Sequence, residues 1–335
     1  MRILRQKNHN NTQLGDFELE VWNYYKKHKR DLPWRRTTDP YHILISEVML
    51  QQTQVSRVIL KYEEFIKKIP TVESLAKASK AEVLTLWQGL GYNRRALFLK
   101  KTCETLFAES LKSPKSTSKD RTRIRAQTKS PQFPTTREEL LKLPGIGQST
   151  AGALLAFAFN KPVPFIETNI RAIFLYFFFK ESSSVSDIHI YELLQETLNH
   201  KKQKENPREW YYALYDYGTM LKAKLGREKT ALHKQSKHYN KQSTFKGSNR
   251  ETRGAILRLF TKHPKINEQK ICALLNAELS HRTPADISKQ VISSLASLEK
   301  EGFIQKADAK ASKTGSKPSA QERKNTPPIY TLSMV

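Results

Sequence analysis

Residues 143–170 read LPGIGQSTAGALLAFAFNKPVPFIETNI. Gly145 and Gly147 flank one isoleucine between two helical segments, and glycine lets the backbone take turns barred to other residues. A helix-like apolar run follows over 148–159. Glu167 and Asn169 then interrupt a second apolar stretch. Uncovered N–H groups at the turn, with the dipole of the helix it opens, make a phosphate-type anion site. A plain packing corner between two helices would carry the same Gly-x-Gly, so the wider sequence has to decide.

The chain has 335 residues and a formal net charge of +26. That length allows two modest domains. Such a charge attracts polyanions, nucleic acid first and an anionic membrane surface second. The most apolar run, Ile170 to Phe179, contains Arg171 and spans half of the ~20 residues a membrane crossing needs. The N-terminus, MRILRQKNHNNT, lacks the apolar core of a secretion signal. These features point to an intracellular protein of cytoplasm or nucleoid, without a membrane partner. Cys103 and Cys272 lie far apart, so neither a disulfide framework nor a cysteine metal cluster is expected.

Helical patterns dominate to about residue 232. Asp39-Pro40 reads as a cap and first-turn proline opening a helix with Ile43, Leu44, Ile45, Val48 and Met49. Further helices are expected over 57–68, 72–78, 80–88, 94–109, 148–159, 169–179, 187–199 and 207–222. Thr136 and Glu139 have capping-box spacing before Leu143. Residues 1–13 read as a flexible N-terminus. The stretch 111–133 is a basic, Ser/Thr-rich insertion, read as a disordered surface segment. Residues 233–250 form a basic linker whose His and Lys spacing matches no metal-ligand pattern. Residues 251–335 read as helices over 251–262, 266–278 and 284–300, then strands over 302–307 and 328–333 around a long basic loop, 308–327. That is a winged-helix pattern, a module that binds DNA or docks proteins, and the basic loop favours DNA.

The combination of ISEVMLQQTQV (45–55), WQGLGY (87–92) and LPGIGQSTAGA (143–153), with LPWR at 32–35, resembles the helix-hairpin-helix (HhH-GPD) DNA glycosylase superfamily, which includes endonuclease III. Within it, the sequence is most similar to the A/G-specific adenine glycosylase (MutY-type) branch. The resemblance covers roughly residues 14–225. It implies an all-α, two-lobed glycosylase domain over 14–232 that holds double-stranded DNA in a cleft, with the small winged-helix-like domain appended. A monomer is expected.

The resemblance also implies roles. Breaking an N-glycosidic bond calls for protonation of the departing base and negative charge near a cationic sugar, tasks that two carboxylates divide. Glu47, within the apolar run ILISEVML, matches the family's proton donor; an apolar setting keeps a carboxyl protonated near neutral pH. Glu167 matches the catalytic aspartate, one methylene longer, and Asn169 matches a nucleotide-positioning asparagine. Without the resemblance, Glu47 would read as a surface glutamate and Glu167 as a helix cap. Gln51, Gln52 and Thr53 match contacts to the opposite base. Leu90 and Tyr92 match the wedge that fills the stack once a base is flipped out, although ordinary packing would serve as well for both. Gly145, Gly147, Gln148, Ser149 and Thr150 match the DNA-binding hairpin. Bifunctional relatives carry a lysine where Ser149 stands, and serine forms no Schiff base.

Two family features are missing. No cysteine follows YDYGTMLKAK (215–224), so the family's iron–sulfur cluster is expected to be absent, leaving no cofactor and no metal. Residues 250–335 are too short for the Nudix-like domain that usual adenine glycosylases carry. The leading expectation is a monofunctional glycosylase removing adenine opposite guanine or 8-oxoguanine. The alternatives are a glycosylase for uracil or thymine in a mismatch or for an alkylated purine, and a non-catalytic DNA-binding protein on a glycosylase fold.

Overall fold

The computed structural model describes residues 2–112, 131–182, 184–226, 235–236, 244–307 and 328–333. The chain divides into two compact units, each built from two separated segments. Unit one holds residues 1–51 and 117–241, and unit two holds residues 52–116 and 242–335. The winged-helix-like segment therefore belongs to the same unit as the helices that follow Gln52. Most of the insertion 111–133, half of the linker 233–250 and all of the loop 308–327 lie outside the described residues.

Unit one opens with helix α1 (Arg2–His28), which takes in most of the stretch read as a flexible N-terminus. No proline or glycine interrupts it before Gly15. Leu14, Phe17, Val21 and Tyr25 recur at helical spacing and are buried. Helix α2 (Pro40–Leu50) starts as the sequence predicts: Asp39 caps it, its Oδ1 accepting from the Tyr41 N–H at 2.7 Å, and Pro40 occupies the first turn. Helices α3 to α6 belong to unit two. The chain re-enters unit one before α7 (Arg137–Leu140) and α8 (Gln148–Phe157). Then come α9 (Thr168–Phe178), α10 (Asp187–Asn199), α11 (Lys201–Glu205) and α12 (Pro207–Leu225).

Aromatic rings fill this core, as the run of Trp and Tyr after residue 209 leads one to expect. Phe17 meets Phe174, Phe177 and Trp210 at centroid distances of 5.3, 5.0 and 6.0 Å. Phe157 stacks on Tyr212 at 4.7 Å, and Phe165 stacks on Tyr211 at 4.2 Å. Two of the buried rings anchor their polar tips by hydrogen bonds. The Tyr211 hydroxyl donates to the Val163 carbonyl at 2.8 Å, and Trp210 Nε1 donates to Thr197 Oγ1 at 3.2 Å.

Unit two contains α3 (Val55–Lys68), α4 (Val72–Lys77), α5 (Lys80–Leu86) and α6 (Arg94–Lys112). Its C-terminal part follows as α13 (Asn249–Lys262), β1 (Lys265–Asn267), α14 (Glu268–Glu278), α15 (Pro284–Lys300), β2 (Ile304–Lys306) and β3 (Ile329–Leu332). The antiparallel sheet has the order β1-β3-β2. The sequence reading started the second of these helices at 266. Residues 265–267 instead pair with 329–331 as an edge strand, and the Asn267 side chain caps α14 by accepting from the Lys270 N–H. Leu84 of α5 shares one apolar cluster with Ala255, Ile256 and Phe260 of α13. Gln88 Nε2 donates to Thr261 Oγ1 at 2.9 Å, and Lys80 Nζ donates to the Gly302 carbonyl at 3.2 Å. Among the described residues, no helix is long and apolar enough to cross a membrane.

Candidate active site

In unit one, α2 and α9 each contribute a carboxyl group. Glu47 occupies α2 among Ser46, Val48 and Met49, all buried. It keeps some surface open, yet its carboxyl sits deep enough that desolvation pushes its pKa up to about 8. The negative charge of Glu167 adds to the rise, and Arg35 opposes it. Glu167 caps α9: its Oε1 accepts from the N–H groups of Asn169 at 2.6 Å and Ile170 at 3.0 Å. Burial raises its pKa as well, but Lys222, the two backbone donors and Arg171 all pull the other way.

The two environments differ, although burial raises the pKa of both groups. Glu167 has two N–H donors and two cations to stabilise its anion. Glu47 has only the field of Arg35, and that guanidinium is engaged elsewhere. It forks onto Asp216 at 2.8 and 2.7 Å, while Arg30 Nε meets the same carboxylate at 2.5 Å.

Asn169 sits in the first turn of α9 and is packed against α12. A Cβ built on Gly218 would lie 2.8 Å from the Asn169 Cβ and 3.0 Å from its carbonyl oxygen. Only glycine at 218 permits that approach. The sequence reading assigned no chemistry to three groups that surround the carboxyl pair. Arg35 stacks over the Tyr212 ring at 4.5 Å. Tyr215 feels both Glu47 and Glu167, and its hydroxyl is held well above the usual phenol range, chiefly by burial. Lys222 acts on Glu167. The signal was present, since Arg35 lies in LPWR (32–35) and Tyr215 and Lys222 lie in YDYGTMLKAK (215–224), but neither stretch was given a chemical role.

The hairpin of 143–150 has the predicted geometry. Gly145 takes a positive φ of 77°, and Gly147 is the N-cap residue of α8. Leu143 and Ile146 anchor the turn in the core, while Gly145, Gly147, Gln148 and Ser149 are exposed. The first-turn N–H groups of α8 have no intrahelical acceptor, so they remain for an anion. Thr150 departs from the expectation. It is buried at 7% exposure, because the third residue of α8 already turns inward.

Gln51 is exposed and ends unit one. Gln52, Thr53, Leu90 and Tyr92 form a separate group in unit two. Gln52 and Tyr92 take positive φ values of 55° and 48°, conformations unfavourable to side chains other than glycine. Arg95 holds the loop by donating to Thr53 Oγ1 at 3.2 Å and to the carbonyls of Leu90 at 3.2 Å and Gly91 at 3.0 Å. Burial brings the Arg95 pKa down to about 10. Leu90 is 3% exposed, so its side chain serves as packing here, whereas Tyr92 is 37% exposed.

Among the described residues, no group of three or more His, Cys, Asp or Glu side chains could hold a metal ion. Cys103 is buried in α6 and Cys272 lies in α14, so the thiols present do not fit a four-thiolate cluster.

Comparison with known proteins places this geometry. The family model for HhH-GPD superfamily base excision DNA repair proteins matches residues 45–214, just over half of the chain. An adenine DNA glycosylase of Buchnera aphidicola subsp. Baizongia pistaciae is 33% identical over 206 residues, covering 61% of this chain and 52% of that protein. An adenine DNA glycosylase of Mycobacterium tuberculosis is 37% identical over 161 residues, covering 48% of this chain and 46% of that protein. The chain thus spans about half the length of these relatives. The solved structure of a thermostable thymine-DNA glycosylase aligns with a TM-score of 0.50 at 23% identity, covering 63% of this chain and 88% of that one, a likeness of fold. By this match over residues 45–214, the chain belongs to the HhH-GPD superfamily of base excision DNA repair proteins.

Proposed function

We propose that this protein is a monofunctional DNA glycosylase that hydrolyses the N-glycosidic bond of a flipped-out adenine mispaired with guanine or 8-oxoguanine. Glu47, neutral at physiological pH, donates its proton to a ring nitrogen of the base. The bond from base to C1′ then breaks with its electron pair leaving on the base. The Glu167 carboxylate stabilises the cationic sugar, and water adds to C1′, its released proton returning to the Glu47 carboxylate, to give an abasic site. Asn169, wedged between α9 and α12, positions the nucleotide. The observation that carries this reading is the pairing of Glu47 and Glu167 in one unit, where the charge of Glu167 helps raise the Glu47 pKa and Glu167 itself accepts two backbone N–H groups.

Ser149 at the mouth of the hairpin supports hydrolysis without strand cleavage, since it offers no amine for a Schiff base. We infer that the protein works without an iron–sulfur cluster, its lobe held by the Trp210–Tyr217 aromatic set instead. Double-stranded DNA is the expected partner, bound in part through the exposed N-terminus of α8. A second reading, excision of uracil, thymine or an alkylated purine, is favoured by the longer acid at Glu167.

The test is a panel of duplexes carrying A, U, T or an alkylated base opposite each partner, scored for alkali-labile sites. Adenine release opposite guanine or 8-oxoguanine, absent in Glu47→Gln, is the expected result. Release confined to other bases selects the second reading. Strand breaks without alkali would overturn the monofunctional assignment. No release from any duplex would leave a DNA-binding protein.

A further inference from the structure

One stripe of α12, at helical spacing, holds Tyr211, Tyr215, Gly218 and Lys222. Gly218 packs against Asn169, and Lys222 acts on Glu167. Tyr211 is committed to the fold: its hydroxyl donates to the Val163 carbonyl at 2.8 Å and accepts from the Phe165 N–H at 3.2 Å. Tyr212, on the neighbouring row, has its ring covered by Phe157 and Arg35. Tyr215 is the member of this set with no role in the chemistry so far.

Three observations bear on it. The Tyr215 ring meets Phe157 edge-on at a centroid distance of 5.6 Å, and Thr219 Oγ1 donates to its carbonyl at 2.8 Å, so ring and backbone are held in place. The residue keeps part of its surface open, yet among the described residues its hydroxyl has no hydrogen-bond partner. A phenol packed among aromatic rings loses water on folding, and without a protein partner its oxygen adds nothing to stability that phenylalanine would not supply. Finally, the hydroxyl stands beside the carboxyl pair. It feels the charge of Glu47 first and of Glu167 second, and with burial these charges keep its proton in place well beyond the usual phenol range. The stronger pull of Glu47 sets the group on the side of the acid, which on the glycosylase reading is the side of the base.

We propose that the Tyr215 hydroxyl is a second hydrogen-bond donor to the departing base, stabilising the electron pair that the broken C1′–N bond leaves on the ring while Glu47 supplies the proton. The proposal deepens the glycosylase reading and rests on it. Tyr215 gives up no proton: a hydrogen bond strengthens as charge builds on the base, and the reaction balances as before. A fixed donor aimed at developing charge acts on the transition state more than on the bound duplex. Affinity for the duplex comes mainly from phosphate contacts, so it is nearly independent of this group.

Tyr215→Phe keeps the ring and removes the donor. Single-turnover release is measured on adenine opposite 8-oxoguanine, or on whichever base of the panel the wild type removes. Fluorescence anisotropy with the same duplex gives affinity, and circular dichroism gives the thermal midpoint. The variant should lose at least about tenfold in rate, hold its affinity within about twofold, and melt at the wild-type temperature or higher. A hydroxyl that served only the fold would lower the midpoint and spare the rate. The ratio of wild-type to variant rate should stay constant from about pH 6 to about pH 8, because the phenol does not titrate there. A wild-type rate in Tyr215→Phe, or a ratio that drifts with the Glu47 titration, would overturn the proposal and leave the glycosylase reading intact. No base release by the wild type from any duplex would sink both.

Discussion

Replacing Glu47 with glutamine removes a proton-dependent penalty that the fold carries, and the structure sets its size and sign. The Glu47 pKa rises from 4.5 to about 8, chiefly through desolvation. At about 1.36 kcal/mol per unit, that amounts to about 5 kcal/mol between the two protonation states. The folded protein holds the proton in the window from about 4.5 to about 8, while the unfolded chain has already released it. Stability contributed by this group is therefore fully present below 4.5 and is lost as pH climbs through 8. Glu47→Gln mimics the neutral acid at every pH. The variant and the wild type should melt together near pH 4.5. By pH 8.5 the variant should melt about 10 °C higher, given roughly 2–4 °C per kcal/mol for units of this size. Circular dichroism melts of both proteins across that range make the comparison. A melting difference that stays flat with pH would refute the buried, protonated state of Glu47, and with it the acid role.

Other outcomes follow from the same geometry. Single-turnover excision should fall about tenfold per pH unit above about 8, where Glu47 loses its proton, and fall again on the acid side at a pH above the usual glutamate value, where Glu167 gains one; a profile without an alkaline limb would contradict the assignment. Asp216→Ala strips the shared partner from Arg30 and Arg35 and should cost about 3–5 kcal/mol of stability by urea denaturation, as for other broken buried pairs. Gly218→Ala forces Asn169 aside and should cut the excision rate by at least tenfold while α12 stays helical by circular dichroism; an unchanged rate would remove Asn169 from the positioning role. Glu167→Asp keeps a capping carboxylate on α9 and should retain a measurable rate, whereas Glu167→Ala should lose both excision and about 1 kcal/mol of stability.

Much of this was legible in the chain. Asp39-Pro40 announced α2, and the apolar periodicity of 148–159 and 187–199 located α8 and α10 to within two residues. The hairpin glycines were readable because a tight turn before a helix leaves few other choices. Residues 265–267 were not readable as a strand: three residues carry too little alternation, and their partner, β3, lies more than sixty residues away. Leu90 and Thr150 show a different limit, since a motif names a position but not the side it faces. Arg35 was hidden for a related reason. Its influence on Glu47 depends on Asp216, which no local pattern connects to it.

The hydrogen bonds from Asn169 and Ile170 to a single oxygen of Glu167 have an effect on rate that reaches beyond charge. A glutamate has three side-chain torsions to freeze, and here α9 freezes them when the protein folds. On the proposed glycosylase reading, nothing is left to be ordered at this side chain when a nucleoside arrives, so the cost of aligning it falls on folding rather than on each turnover. The extra methylene that distinguishes this acid from an aspartate is thereby moored instead of loose, and a longer arm can still present a fixed charge.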